Sequence, residues 1–163
     1  MENIEELVRE DERRREVIHA PFDPISGEGS VGKRKKVYIS DLYPYNMYLP
    51  ETMFGNKLVK EIIKAKGIRE FCQKRYNDHT PELREMVIRN FVKVRCRHDY
   101  PFCAYYAFEI KNKEGGKNIH FRLSYPQRYL LGILEEMRLA GVPIRIILLK
   151  ARQWGGSTLV QLY

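Results

Sequence analysis

The sequence predicts an α/β chain in which a mainly helical lead-in is followed by a buried strand, a glycine turn and the start of another helix. Apolar residues recur at helical spacing through much of residues 56–139, which indicates helices packed on a core. Residues 144–149 form an apolar run of the kind found in a central strand of a parallel sheet. Residues 155–158, Gly-Gly-Ser-Thr, then lead into an apolar helix start.

Size and charge set the first limits on function. The 163 residues suffice for one domain with a hydrophobic core. The net charge of +8 is uneven: residues 1–32 carry four basic and nine acidic side chains, and residues 33–163 carry 25 basic and 12 acidic ones. Residues 33–163 therefore have a net charge of +13, which suits them to bind the phosphates of a nucleic acid. Solvated faces of helices explain such charges equally well.

Several classes of protein are disfavoured by composition. No apolar stretch reaches the length of a membrane-spanning helix, and the acidic N-terminus lacks a secretory signal. Cys72, Cys96 and Cys103 are odd in number and lack the spacing of a zinc site or a disulfide framework. We therefore expect reduced thiols in a cytoplasmic protein without a membrane partner.

The N-terminal elements follow in order. Residues 5–18 predict either a highly charged, loosely attached helix or a disordered arm. Residues 20–32, rich in Pro, Gly and Ser, predict a flexible linker or an extended loop. Together with the basic cluster that follows, they define a first unit, the charged arm and linker of residues 1–36. A short strand is predicted at residues 37–39, and residues 43–50, rich in Tyr and Pro, are expected to be irregular.

Residues 37–118 are expected to form a mainly helical subdomain. Thr80-Pro81-Glu82 is a strong helix start, with a hydroxyl cap, a proline at the first helical position and an acid in the first turn. The predicted elements are helices at 58–66, 68–76, 81–97 and 100–110, with a polar turn at 111–118.

Residues 119–163 form the third predicted unit. A short strand at 119–123 precedes a helix at 129–139, and Gly141 and Pro143 end that helix. The strand at 144–149 and the glycine turn follow.

The turn has the order of a phosphate-binding loop without its strict sequence. Against the pattern GxxxxGK[ST], Lys150 takes the first glycine position and Gly156 takes the lysine position. Lys150 and Arg152 are the candidate sources of positive charge, Ser157 the candidate magnesium ligand, with Thr158 beside it at the helix start. A tight strand-to-helix turn in any α/β protein is the competing interpretation.

Other chemistry is weakly supported. Residues 27–34 resemble the phosphate-loop pattern, but the Pro-rich residues before them do not suit a buried strand, so a linker is expected. The four histidines lack metal-ligand spacing, and His98-Asp99 is expected to be a surface or helix-end pair. Ser157 has no nearby histidine in sequence to activate it as a nucleophile.

Three segments in order resemble the large terminase subunits of tailed phages. Lys150-Ala-Arg-Gln-Trp-Gly-Gly-Ser-Thr looks like their variant phosphate loop, and Phe121-Arg-Leu-Ser-Tyr-Pro-Gln-Arg is similar to their adenine-recognition motif. Residues 95–110 are similar to the helical lead-in of terminases from Bacteroides phages and prophages. The resemblance covers residues 95–163 best.

This resemblance implies a P-loop NTPase domain with a parallel sheet, truncated after the phosphate loop, that binds ATP and Mg²⁺. Gln127 is implied to bind the adenine edge, with Tyr125 and Pro126 shaping the pocket. The implied ATP-binding residues are Tyr125, Pro126, Gln127, Lys150, Arg152, Gln153, Gly155, Gly156, Ser157 and Thr158.

The implied function is ATP-driven translocation of double-stranded DNA into procapsids in a bacterial host cell. The implied partners are a portal and a small terminase subunit, with homo-oligomers of the full-length protein. The acid-ended strand that activates water and the acidic cluster of the nuclease are not found in these residues, so no catalytic set is complete and the segment alone is expected to be inactive. The alternatives are a non-catalytic basic module that binds DNA or a partner, and a truncated prophage remnant.

Overall fold

The structure is a computed structural model that describes residues 4–112, 114–149 and 155–163, without the side chains of residues 14 and 17–19. In chain order the elements are α1 (Ile4–His19), β1 (Arg34–Tyr38), β2 (Asn46–Pro50), a 3₁₀ turn (Glu51–Gly55), α2 (Lys57–Ala65), α3 (Ile68–Tyr76), α4 (Pro81–His98), α5 (Tyr100–Ala107), β3 (Glu109–Ile110), β4 (Ile119–His120), α6 (Tyr125–Leu139) and α7 (Gly156–Leu162). Helices dominate, and the strands form two separate antiparallel pairs, β1–β2 and β3–β4.

The mixed α/β class is confirmed, but within the described ranges no parallel sheet is present. Residues 144–149, predicted as a central strand, have no strand pairing there, and Ile147 and Leu149 are 95% and 94% exposed. A strand forms only when neighbouring strands satisfy its backbone groups, and no described strand lies beside these residues. The P-loop domain therefore stays a prediction.

The first core lies between the β1–β2 hairpin and helices α2, α3 and α4. The hairpin contributes Val37, Met47 and Leu49, and the exposed or half-buried residues beside Val37 and Met47 show the alternation expected for a sheet with one covered face. Our prediction that residues 43–50 are irregular is wrong for β2, whose Met47 pairs with Val37 in register. The other buried members of this core are Ile39, Met53, Val59, Ile62, Ile68, Phe71, Cys72, Val87 and Phe91.

The second core joins α5, the β3–β4 pair, α6 and α7. Its buried members are Ala104, Phe121, Leu123, Leu130, Leu131, Leu134 and Leu159. The helix predicted over 100–110 ends at Ala107, because Glu109 and Ile110 pair with His120 and Ile119 instead. The polar turn between these strands was correctly predicted, and Gly115 and Gly116, both at φ +85°, reverse the chain there.

The segment that precedes β1 is hydrogen-bonded to both cores. The Asp23 carboxylate accepts hydrogen bonds from the backbone N–H groups of Ile25 and Ser26, at 3.0 and 2.8 Å. The Tyr48 N–H donates to the Ser26 carbonyl, and the Arg122 guanidinium donates to the Phe22 carbonyl. The phosphate-loop-like residues 27–34 are therefore turns that enter a strand, which differs from a strand-to-helix loop.

A buried ionic triad ties this segment and the hairpin to the junction of α4 and α5. The carboxylate of Asp99, fully buried, accepts two hydrogen bonds from Arg34, at 2.7 and 3.0 Å, and one from Arg95 at 3.0 Å. The Arg95 guanidinium also lies 4.0 Å from the ring centroid of Phe102. Burial lowers the pKa of Arg95, and the charge of Asp99 opposes that shift. Asp99 is thus at a helix end, as predicted, but it is not on the surface.

The structure shows how far each cysteine is buried and whether any helix could cross a membrane. Cys72 is buried and Cys96 and Cys103 are half-buried, all three as free thiols. In the described ranges, no helix is both long enough and apolar enough to cross a membrane.

Candidate functional site

The candidate site is built at the start of α6. Ser124 precedes the helix and Pro126 stands in its first turn, where a proline costs no helical hydrogen bond. The side chain of Gln127 turns back so that its Oε1 accepts a hydrogen bond from the Ser124 N–H at 2.8 Å. This reciprocal capping arrangement fixes the orientation of the Gln127 amide.

The same Gln127 amide reaches the glycine turn 28 residues further along the chain. Its Nε2 donates a hydrogen bond to the carbonyl oxygen of Gly155 at 3.1 Å, and the residue is only 5% exposed. The two segments singled out by sequence, the adenine-like motif and the phosphate-like loop, are therefore in direct contact.

Gly155 is required at this contact by its backbone and by the space around it. Its φ is +79°, in the left-handed region, and a Cβ there would lie 2.5 Å from the Gln127 Nε2. Gly156 is buried, and helix α7 begins at this residue. The chain therefore turns into α7 without side chains at its tightest point.

The remaining predicted residues are distributed around this turn. Ser157 is exposed and Thr158 is half-buried in the first turn of α7. Pro126 is exposed, while Tyr125 is half-buried with its ring 6.5 Å from that of Tyr129. Lys150, Arg152 and Gln153 lie outside the described residues.

In the structure Gln127 is a capping residue at the start of α6 and a link to the glycine turn. Both polar atoms of its amide are engaged by the protein, Oε1 by Ser124 and Nε2 by Gly155. The residue links the two segments, and a contact with an adenine edge stays a prediction.

Helix α7 is held by polar contacts that the sequence did not suggest. The Tyr100 hydroxyl donates to the Leu159 carbonyl at 3.3 Å, and the Tyr163 ring meets the Tyr100 ring edge-on, with centroids 5.4 Å apart. The Tyr163 hydroxyl donates to Glu135 at 2.6 Å, and Arg138 also binds this carboxylate. Burial raises the pKa of Tyr100 to about 12, and burial with the bond to Glu135 raises the pKa of Tyr163 to about 12.

Glu135→Gln should weaken the contact of this side chain with Tyr163 and Arg138. We expect the free energy of unfolding to fall by about 1 kcal/mol at neutral pH and by less in acid. Burial opposes ionisation of Glu135, but hydrogen bonds from Arg138 and Tyr163 outweigh it and hold the pKa below its ordinary value of 4.5. The carboxylate thus stabilises the fold above pH 4.5, and this contribution is lost as the pH falls through the lower pKa of the folded protein.

Urea denaturation of both proteins between neutral pH and about pH 3 measures this difference. Glu136→Gln, an exposed neighbour on α6, is the matched control and should show almost no difference at any pH. A difference for Glu135→Gln that stays constant into acid would contradict the assignment.

A separate cleft of about 580 Å³ lies between the start of β1, the start of α5 and the end of α6. Its lining includes Lys33, Glu51, His98, Tyr100 and Glu136. Among the residues that the structure describes, none of the predicted ATP-binding residues lines it, although Tyr100 and Glu135, which contact α7, do.

The described residues contain no group of three or more His, Cys, Asp or Glu side chains placed to hold a metal ion. Ser157 remains the candidate for a magnesium ion bound together with a phosphate, since its hydroxyl is exposed beside the glycine turn. A scan against protein-family models and searches of curated proteins and of solved structures find no match to this chain.

Proposed function

We propose that this chain is the N-terminal part of a terminase-like large subunit, in which residues 119–163 begin an ATP-binding P-loop domain. The contact between Gln127 and Gly155 carries the proposal. It joins two motifs separated by 28 residues, each of which resembles a nucleotide-binding segment on its own. The contact holds the two segments side by side, as a shared nucleotide site requires.

The roles of the residues follow from this geometry and from the sequence. Gln127 holds the turn against α6, and Gly155 and Gly156 leave room for phosphate oxygens to approach the backbone. Ser157 is the proposed ligand of Mg²⁺, which supplies charge neutralisation when it is bound with ATP. Lys150 and Arg152 are the proposed cations in place of the usual loop lysine.

The wider function is proposed from the resemblance. It comprises translocation of double-stranded DNA in a bacterial host, with a portal, a small terminase subunit and further copies of the full-length protein as partners. In this proposal residues 144–149 become a central strand when neighbouring strands are supplied. Their exposed apolar side chains suit burial of that kind.

A second candidate function is a basic module that binds DNA or a protein partner without catalysis, as in a truncated prophage remnant. The charge distribution favours it, with 25 basic and 12 acidic residues between 33 and 163. In this case the glycine turn has no ligand.

Calorimetric titration of the complete P-loop domain, which includes the neighbouring strands that residues 144–149 require, with Mg²⁺ and a non-hydrolysable ATP analogue separates the two. Arg152→Ala should weaken binding by about tenfold or more, because it removes a charge-assisted contact to phosphate. Arg75→Ala, an exposed arginine of α3, is the matched control and should bind as the wild type does. Equal affinity for both variants, or no binding by the wild type, would contradict the nucleotide site and favour the basic module.

A further inference from the structure

A tyrosine-rich surface at the loop end of the β1–β2 hairpin takes no part in the proposed nucleotide site. Tyr38 ends β1, and Tyr43 and Tyr45 lie in the loop that joins the strands; they are 50%, 82% and 51% exposed. The rings of Tyr43 and Tyr45 meet edge to face, with centroids 6.1 Å apart. Three exposed rings on one hairpin, two of them in contact, form an aromatic surface of the kind that interfaces use.

The hairpin adds positive charge to these rings. Lys36 lies opposite Tyr48 in register, with its ammonium group 5.8 Å from the Tyr48 ring centroid, and it precedes Tyr38 by two residues on the same face. Asp41 is the single acidic residue between positions 34 and 50. Its carboxylate accepts hydrogen bonds from the N–H groups of Ile68 and Arg69, at 2.6 and 2.7 Å, so it is directed at the start of α3.

The backbone beneath the surface is fixed. The Ile39 N–H donates to the Tyr45 carbonyl at 2.9 Å, which extends the strand pairing into the loop. The Ser40 N–H donates to the Lys66 carbonyl at 2.8 Å, which ties the loop to the end of α2. The rings are therefore presented on an ordered support, which reduces the entropy lost when a ligand binds.

We propose that this tyrosine surface, defined as Lys36, Tyr38, Tyr43 and Tyr45, binds single-stranded nucleic acid, a role beyond the proposed ATPase. Unpaired bases stack on the rings while Lys36 contacts the phosphate backbone. A duplex stacks its bases on each other and offers only its phosphates. Val37, Ile39, Met47 and Leu49 of the hairpin are buried and Leu42 is half-buried against the first core, so the surface offers few of the aliphatic groups that insert into a lipid bilayer.

Fluorescence anisotropy of a labelled oligo(dT) of roughly twelve nucleotides, titrated with the full chain, tests the proposal. Tyr43→Ala should weaken binding about fivefold or more, and Tyr38→Ala combined with it should weaken binding further. Tyr106→Ala removes a ring of similar exposure, 57%, from α5 and should leave the affinity unchanged. Thermal melting of each variant checks that the fold is intact.

The salt dependence tests the role of Lys36. Lys36→Gln should reduce the slope of log K against log salt by about 0.7, the value for one contact to a single strand. Lys93→Gln, an exposed lysine of α4, is the control and should leave the slope unchanged. Oligo(rU) should bind as well as oligo(dT) if stacking dominates, and a duplex of equal length should bind more weakly.

Three outcomes overturn the proposal. The first is an oligo(dT) affinity that neither tyrosine substitution changes. The second is a duplex affinity equal to that of the single strand, which would indicate phosphate contacts alone. The third is binding to phosphatidylserine-containing vesicles without binding to any oligonucleotide. All three concern the hairpin and leave the ATP-analogue titration unaffected, so the two proposals fail separately.

Discussion

Asp99→Ala should lower the free energy of unfolding by about 3–5 kcal/mol, because it leaves two buried guanidinium groups without their counter-ion. Asp99 is fully buried and accepts hydrogen bonds from both Arg34 and Arg95, whose side chains are 8% and 3% exposed. Water cannot replace the carboxylate at this depth, and the two arginines then repel each other. Urea denaturation followed by circular dichroism measures the loss.

Two further variants identify the cause. Asp99→Asn keeps the size of the side chain but removes its charge, so it should fall between the wild type and Asp99→Ala. Glu85→Ala removes one partner of an exposed ion pair with Arg89 on the same helix, α4, and should barely move the midpoint. A loss for Asp99→Ala no larger than that for Glu85→Ala would show that the triad does not stabilise the fold.

The sequence could not reveal this triad because its members are distant and locally ordinary. Arg34 is 65 residues from Asp99 and stands among Lys33, Lys35 and Lys36, where any one of the four cations has the same local appearance. Arg34 lies on the face of β1 opposite Val37, and its side chain is buried there against Asp99 at the junction of α4 and α5, a contact that no local pattern indicates. Asp99 itself follows a histidine at a helix end, a position typical of exposed residues.

Local signals predicted local structure well. The helix expected over 68–76 is α3, and the one expected after Thr80 is α4, because apolar spacing and the proline at the first helical position act within a few residues. The β2 strand was missed because its stability depends on pairing with β1 across the loop, and its tyrosines and prolines suggested irregular chain. For residues 144–149 a strand was predicted and is not observed. Their apolar composition favours a strand, but strand pairing depends on distant residues.

For the candidate site, the sequence predicted which residues belong to it but not how they contact each other. The resemblance placed Gln127 and Gly155 in one site, and the structure brings them within hydrogen-bond distance. What the sequence could not supply is the direction of the Gln127 amide, which depends on how α6 and α7 pack around Leu159. The tyrosine contacts to α7 had no sequence signal, because an isolated Tyr163 gives no indication of its partner.

Gly155→Ala should destabilise the docking of α7 by about 2–3 kcal/mol. The substitution forces a side chain into the left-handed region at φ +79° and places its Cβ 2.5 Å from the Gln127 Nε2. Gln127 must then move, which breaks its hydrogen bond to the Gly155 carbonyl. Hydrogen exchange at the Leu159 amide, which donates to the same carbonyl at 3.1 Å, reports the opening of this turn.

Gly116→Ala separates the two causes of that loss. Gly116 has φ +85° but nothing lies within 4 Å of the position of its Cβ, so its substitution carries the backbone strain alone, about 1–2 kcal/mol. The excess at Gly155 measures the collision with Gln127. In a Gln127→Ala background that collision is absent, so Gly155→Ala should cost only about as much as Gly116→Ala does. Strictly additive effects would instead mean that the motif at the start of α6 and the glycine turn are not coupled, and the nucleotide proposal would lose the contact on which it rests.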